Sequence, residues 1–255
     1  MGTLQGRVAI VTGGGAGLGL AIAQELAAAR CDIAVAERDT AAGERAAEQL
    51  RALGVQARAY AVDVSVAAQV DAAFAAVPRD LGRLDIVINN AGVSHVGPSI
   101  LETTDEAWAE SLAVMQTGVF YCMRAAARHL LPQGSGSVVN ISSIRGFSPN
   151  PGRIAYCATK AAVLMMTRVA AGEWAPSGVR VNAIAPGIQR TPMWDADVER
   201  GAIDEPFYLR TVPMGRIGDP REVGKLAVYL CSDDAAYVTG GCFTIDGGLT
   251  SIPAG

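Results

Sequence analysis

Tyr156 and Lys160 stand four residues apart in AYCATKAAVLMMTRVAAGEW, a run rich in Ala, Leu and Met that reads as a helix. On a helix this spacing sets a phenol and an ammonium one turn apart on one face. Ser142 and Ser143 end the apolar run SVVNI, which reads as a buried strand. Gly146, Pro149, Pro151 and Gly152 between them predict an ordered loop, so a strand-end hydroxyl can face the phenol. A free phenol has a pKa of about 10, too high for a base at neutral pH. A neighbouring ammonium favours the phenolate and lowers that value. Tyr156 could then exchange a proton with an alcohol while Ser143 hydrogen-bonds the same oxygen as charge develops on it. The spacing alone fits an ordinary amphipathic helix equally well. Chemistry requires a partner site elsewhere in the chain.

That site is readable near the start. Arg7–Val11 predicts a short strand, Thr12-Gly-Gly-Gly-Ala-Gly-Leu-Gly19 follows at once, and LAIAQELAAA has the composition of a helix. In this setting Gly13 makes the tight turn and Gly17, with Leu18 beside it, lets the backbone approach a pyrophosphate. Gly19 lets the helix pack on the sheet, and the helix N-terminus faces the phosphates with free N–H groups. A second strand, Asp32–Glu37, ends in a carboxylate that suits ribose hydroxyls and repels a 2′-phosphate. Arg38, next in line, could instead receive such a phosphate or lie solvated. The balance favours NAD over NADP. A cationic nicotinamide would then add to the pull on the Tyr156 proton.

The elements that position these residues alternate. Helices are predicted at Thr40–Leu53 and Ser65–Val77, strands at Val55–Val62 and Leu84–Ile88. Asp63-Val64 and Asn90-Ala91-Gly92 fall just after strand ends, where ligands of open parallel sheets bind. Glu102–Leu131 reads as a long helix that could break near its start. Ser137–Ile141 and Gly178–Ile184 read as strands, with the helix Ala155–Trp174 between them. Arg221–Cys231 and Cys242–Ile245 read as a last helix and strand. The pattern predicts one α/β domain over 1–255: a doubly wound parallel sheet of Rossmann type with helices on both faces. Only Ile188–Val212 breaks the rhythm. Its Trp194, Phe207, Tyr208 and Leu209 suggest a lid over a pocket, or else a surface hairpin whose aromatics merely pack.

Composition narrows the partners. Half of the 255 residues are hydrophobic, enough for a large core, and 25 acids against 21 bases leave a net charge of −4. No Lys/Arg cluster suggests a nucleic-acid surface. No uninterrupted apolar run suggests a membrane span, and the start lacks a signal peptide's pattern. Five scattered cysteines without a CxxC pair fit a reducing cytoplasm, and His95 and His129 are too few for a metal cluster.

The pieces TGGGAGLG, Glu37, DV at 63–64, NNAG at 89–92, NISS at 140–143, YCATK at 156–160, RVNAIAPG at 180–187 and VTGGCFTIDGG at 238–248 occur in order. In this the chain resembles the short-chain dehydrogenase/reductase family nearly end to end. The resemblance implies a seven-stranded sheet, an NAD(P) cofactor, a small alcohol or ketone substrate, and usually a homotetramer joined through long helices and the last strand. It implies Tyr156 as base, with Lys160 also on the nicotinamide ribose and Ser143 on the substrate oxygen. Asp63 would meet the adenine, Asn90 and its neighbours would line the cofactor, and Thr191, after Pro186-Gly187, would contact the carboxamide.

Three residues depart from that family's pattern. Met115 stands where an Asn usually holds a water of a proton relay, Gln189 replaces a branched apolar residue, and Arg30 occupies a helix-ending glycine position. Met115 keeps open a second reading, a nucleotide-binding sensor or scaffold without turnover; a third, independent of Met115, is an epimerase or dehydratase working through a transient ketone. Ser94, His95, Ile144, Arg145, Asn150, Gln189 and Trp194 are the expected substrate contacts, suited to a small cyclic or aliphatic alcohol of moderate polarity. Arg145 could meet a carboxylate, though a solvated arginine is the plainer reading.

Overall fold

Apolar residues at successive positions, with no polar alternation, mark strands covered on both faces. The computed structural model, which describes residues 3–95, 99–199, 201 and 203–251, has β1 (Val8–Thr12) buried at every position. Val8 and Ile10 point into one core with Phe74 and Val163, while Ala9 and Val11 point into the other with Ile22, Leu26 and Leu50. The sheet has seven parallel strands in the order β3-β2-β1-β4-β5-β6-β7. The others are β2 (Asp32–Glu37), β3 (Ala57–Ala61), β4 (Ile86–Asn89), β5 (Gly136–Ile141), β6 (Val179–Pro186) and β7 (Cys242–Ile245). Val8 pairs with Asp32 on one side of β1 and Ala9 with Ile86 on the other. The chain winds outwards through β2 and β3, then returns to lay β4 against β1. That reversal opens a crevice above the strand ends, where such sheets bind ligands.

Helices α1 (Gly17–Ala28), α2 (Thr40–Arg51) and α9 (Pro220–Cys231) pack on one face. On the other lie α3 (Ala67–Leu81), α5 (Gly118–Gln133) and α6 (Ile154–Trp174), with α4 (Asp105–Leu112) against α6, while α7 (Pro192–Glu199) and α8 (Glu205–Thr211) follow β6. Ile154–Ser177 is long and apolar enough to cross a membrane by composition, but here Val163, Ala170, Ala171 and Trp174 of α6 lie in the core. Within 188–212, residues 200 and 202 lie outside the described residues.

Two details differ from the sequence reading, and a third, at Arg30, agrees with it. The helix expected over 102–131 is split by a π-helical turn at Ala113–Thr117, which carries Met115. At the edge of the sheet, β3 is shorter than expected. Arg30 takes φ 72°, a left-handed conformation that costs about 1 kcal/mol without glycine.

Candidate active site

The turn after β1 is built from positions that a Cβ would spoil. Gly13 has φ +62°, and its Cβ would come within 2.9 Å of Ala91 Cα. At Gly19 a Cβ would overlap the Gly13 carbonyl oxygen and approach Asn90 Nδ2 to 2.5 Å. Gly19 of α1 thus lies against the backbone just past the end of β1 and against Asn90 just past β4, a close approach that only a bare residue permits. Asn90 Nδ2 donates to the Thr12 and Gly13 carbonyls, at 3.0 and 3.2 Å. Thr12 Oγ1 in turn accepts from the Asn90 and Ala91 amides. In the sequence this threonine only heads the glycine turn, and nothing there gives its hydroxyl a role.

Gly17, at φ +54°, opens α1 and faces Thr191 across a gap, with Thr191 Cγ2 4.0 Å from its Cβ position. The α1 N-terminus has no capping side chain and no acid in its first turn. Free N–H groups there suit a pyrophosphate. A cleft of about 510 Å3 runs from this turn across the strand ends, within the usual size of a ligand site.

One end of the cleft is acidic. Glu37 closes β2, with Oε2 accepting from the Gly15 amide at 3.1 Å and Oε1 from the Arg38 and Asp39 amides at 2.8 and 3.2 Å. The carboxylate is therefore held in one orientation. Asp63 lies beyond β3. The hydrogen bond from the Ser65 hydroxyl, at 2.6 Å, holds its pKa below the usual value, with the Ser65 amide and Arg38 acting in the same direction. Arg38 is exposed on the same rim, with Val64 nearby.

The other end carries the hydroxyls and the ammonium. Ser143 follows β5, and its Oγ accepts from the Arg145 amide at 3.1 Å. Tyr156 lies in the first turn of α6 and lines the same cleft as Ser143. Lys160, one turn on, donates from Nζ to the Ile141 carbonyl at 2.9 Å and sits 5.5 Å from the centre of the Tyr156 ring. Ser142 Oγ braces this geometry by donating to the Lys160 carbonyl at 2.8 Å. Burial lowers the Lys160 pKa to about 8, so the ammonium form still predominates at pH 7.

Burial also raises the Tyr156 pKa, opposed by the Ser143 hydroxyl and then by Arg153 and, more weakly, Arg145. The sequence suggested that Lys160 would set this value downwards. In the folded protein desolvation outweighs the opposing influences, among them Arg153 and Arg145, although Lys160 Nζ stays 5.5 Å from the ring centre. Arg153 was missed because nothing in a loop sequence tells where its guanidinium points.

The expected cofactor residues Gly13, Gly17, Leu18, Gly19, Glu37, Arg38, Asp63, Val64, Asn90, Ala91, Gly92, Tyr156, Lys160, Pro186, Gly187, Gln189 and Thr191 all line this cleft, as does Ser143. Of the expected substrate contacts only Ser94 and Gln189 line it. His95 pairs with Glu110 at 2.9 Å, Ile144 is buried, and Arg145 reaches the Pro149 carbonyl at 3.2 Å. Asn150 accepts from the Arg153 amide at 3.2 Å, and Trp194 meets Tyr208 edge-on at 5.3 Å. Met115 also lines the cleft, its sulfur 3.6 Å from the Cβ position of Gly92.

Residues 13–250 match a protein-family model described as enoyl-(acyl carrier protein) reductase. The chain is 41% identical over 249 residues to galactitol 2-dehydrogenase (L-tagatose-forming) of Cereibacter sphaeroides, covering 97% of this chain and 96% of the relative. Among solved structures, NAD+-bound xylitol dehydrogenase superposes with a TM-score of 0.92 at 33% identity, over 96% of this chain and 99% of that one. A gluconate 5-dehydrogenase from Burkholderia cenocepacia J2315, in complex with NADP and tartrate, also gives 0.92, at 34% identity and 98% of each chain.

Proposed function

Because the chain belongs to the short-chain dehydrogenase/reductase family, we propose that it interconverts a secondary alcohol and a ketone with NAD, using Tyr156 as acid/base. One observation carries the reading: Ser143, Tyr156 and Lys160 share a single cleft with Gly13, Gly17 and Glu37. The dinucleotide, when bound, supplies the hydride acceptor for the alcohol or the donor for the ketone. Gly17 and the bare start of α1 would take its pyrophosphate, Glu37 its adenosine ribose and Thr191 its carboxamide. Tyr156 takes the alcohol proton, or returns it to the ketone oxygen. Ser143 donates to that oxygen as negative charge gathers there, and the Lys160 ammonium stabilises the phenolate.

Kinship leaves the cofactor open, since the xylitol dehydrogenase binds NAD+ and the gluconate dehydrogenase NADP. Glu37 supports NAD, because its fixed carboxylate would oppose a 2′-phosphate at the end of β2. With either cofactor and one alcohol, NAD is expected to give the higher kcat/KM, and Glu37→Ala to narrow the gap. Equal use of both by the native protein would assign control to Arg38. The relatives' names support a small hydroxylated substrate for this chain too. The Trp194–Tyr208 contact joins α7 and α8 into one unit suited to closing over it. Exposed Phe120, Met165 and Val169 on α5 and α6 support the homotetramer, and the free cysteines support a reducing cytoplasm.

Met115 favours a second reading, a cofactor-binding scaffold, because a thioether cannot hold the relay water that an asparagine would. The reacting proton passes directly between substrate and Tyr156, so turnover does not require that water. The native protein is expected to be active. Met115→Asn should change kcat by less than about tenfold, or about 1.4 kcal/mol. A native protein that binds NAD but oxidises no alcohol, and that Met115→Asn awakens, would establish the scaffold.

A further inference from the structure

We propose that Arg153 and Arg145 form an anion clamp at the substrate end of the cleft, and that the alcohol oxidised there is a hydroxy acid. The inference rests on the dehydrogenase reading above and names its substrate class.

Both arginines lie in the segment that joins Ser143 to Tyr156. Arg145 follows Ser143 by two residues and gives its amide to that hydroxyl at 3.1 Å. Arg153 precedes Tyr156 by three, at the position before α6. Its Nη1 donates at 3.4 Å to Ser94 Oγ, and Ser94 lines the cleft. Its guanidinium therefore links the start of α6 to the loop after β4 at the rim of the cleft, next to a residue that lines it.

The two guanidiniums meet neutral oxygens only. Arg153 has the Ser94 hydroxyl and Arg145 the Pro149 carbonyl, and among the described residues neither meets a carboxylate. Arg7, Arg83, Arg128, Arg190, Arg216 and Arg221 each do. Glu110, on α4, is engaged by His95 at 2.9 Å. The carboxylates that line the cleft, Glu37 and Asp63, stand at the β2 and β3 ends, away from the Ser143 side. The field there is further biased by α6, whose 21 residues begin without a side-chain cap or an acid in the first turn. Both arginines also act on the Tyr156 phenol, lowering its pKa against burial.

A carboxylate a few carbons from the alcohol would meet these forks while its hydroxyl met Ser143 and Tyr156. Arginine suits that task, because its planar donors match a carboxylate in pairs. A neutral alcohol would leave both forks without their complement.

The test uses matched pairs, gluconate with glucitol, threonate with threitol and 3-hydroxybutyrate with 2-butanol, each with NAD and with NADP. The native protein is expected to oxidise the better acids with a kcat/KM at least tenfold above their neutral partners. Arg153→Gln should reduce that preference at least tenfold, mainly through KM of the acid, and Arg153→Lys should restore part of it. Arg145→Gln should reduce it too, and added salt should erode it. NAD affinity checks that each variant is folded. A native preference for the neutral members, or equal losses on both, would overturn the clamp while leaving the dehydrogenase reading intact. If no alcohol is oxidised, the dehydrogenase reading fails, and calorimetric titration of the NAD-loaded protein with tartrate and threitol decides the clamp separately. Tartrate binding that Arg153→Gln abolishes upholds it, and no preference for tartrate over threitol ends it.

Discussion

Tyr156→Phe is expected to lower turnover by roughly 10²–10⁴-fold while leaving NAD affinity within a few-fold of native. The substitution keeps a ring in the same place, against the Lys160 side chain and the core around α6, and removes only the phenolic oxygen. That oxygen makes no hydrogen bond on which the fold depends among the described residues, so the stability cost is within about 1 kcal/mol. The pH profile gives a second, independent readout. Burial raises the phenol's pKa, so oxidation by the native protein should quicken as pH rises through the Tyr156 ionisation. That limb should be missing in Tyr156→Phe. Near-native turnover, or an unchanged profile, would remove Tyr156 from the mechanism. The measurement is kcat and kcat/KM across pH on the best alcohol of the panel, with NAD binding followed alongside.

The parts of this site legible in the sequence are those where one local rule suffices. A four-residue spacing places Tyr156 and Lys160 on one face whatever surrounds them. Strand, glycine turn and helix at 8–28 follow from residue types alone, and Glu37 from its place at a strand end. What remained hidden depends on contacts between distant segments. Gly19 was legible as a place of close helix–sheet approach, but which atoms it approaches, the Gly13 carbonyl and Asn90, needs the folded turn. A break near the start of the 102–131 helix was readable as a possibility. Its form was not: Ala113–Thr117 has ordinary helix residues, and a π turn has no compositional mark. Gly118, just after it, abuts Val64, 54 positions earlier, with 2.9 Å between its Cβ position and Val64 Cγ2. The direction of the Tyr156 shift was misjudged for the same reason. Charge is visible in a sequence, and the depth at which a hydroxyl lies is not.

Lys160→Met is expected to separate function from stability. Turnover should fall by roughly 10²–10³-fold, because on the proposed mechanism the ammonium beside the phenolate is lost, together with the contact that the family resemblance implies to the cofactor ribose. Folding should not suffer. Lys160 is buried, and its pKa is lowered from 10.5 to about 8 by desolvation. Holding it charged below pH 8 costs about 3 kcal/mol relative to the unfolded chain, at 1.36 kcal/mol per pKa unit. Methionine relieves that cost and fills a similar volume, while the bond to the Ile141 carbonyl is lost, at about 1–2 kcal/mol. The variant should therefore match the native protein at pH 7 or exceed it by about 1–2 kcal/mol, a rise in Tm of a few degrees. The sign of the pH dependence follows from proton counting. Between pH 8 and 10.5 the unfolded lysine binds more protons than the folded one, so this residue makes native stability rise with pH in that window. The advantage of Lys160→Met should shrink over the same interval, and below pH 8 it should stay constant. Thermal unfolding of both proteins without added cofactor, from pH 6 to 10.5, measures this directly. A variant that is less stable at pH 7, with activity lost only in proportion to the unfolded fraction, would make Lys160 a structural residue. A stable, cofactor-binding and nearly inactive protein would instead mean that the fold bears the expense of a buried ammonium for the sake of the phenol beside it.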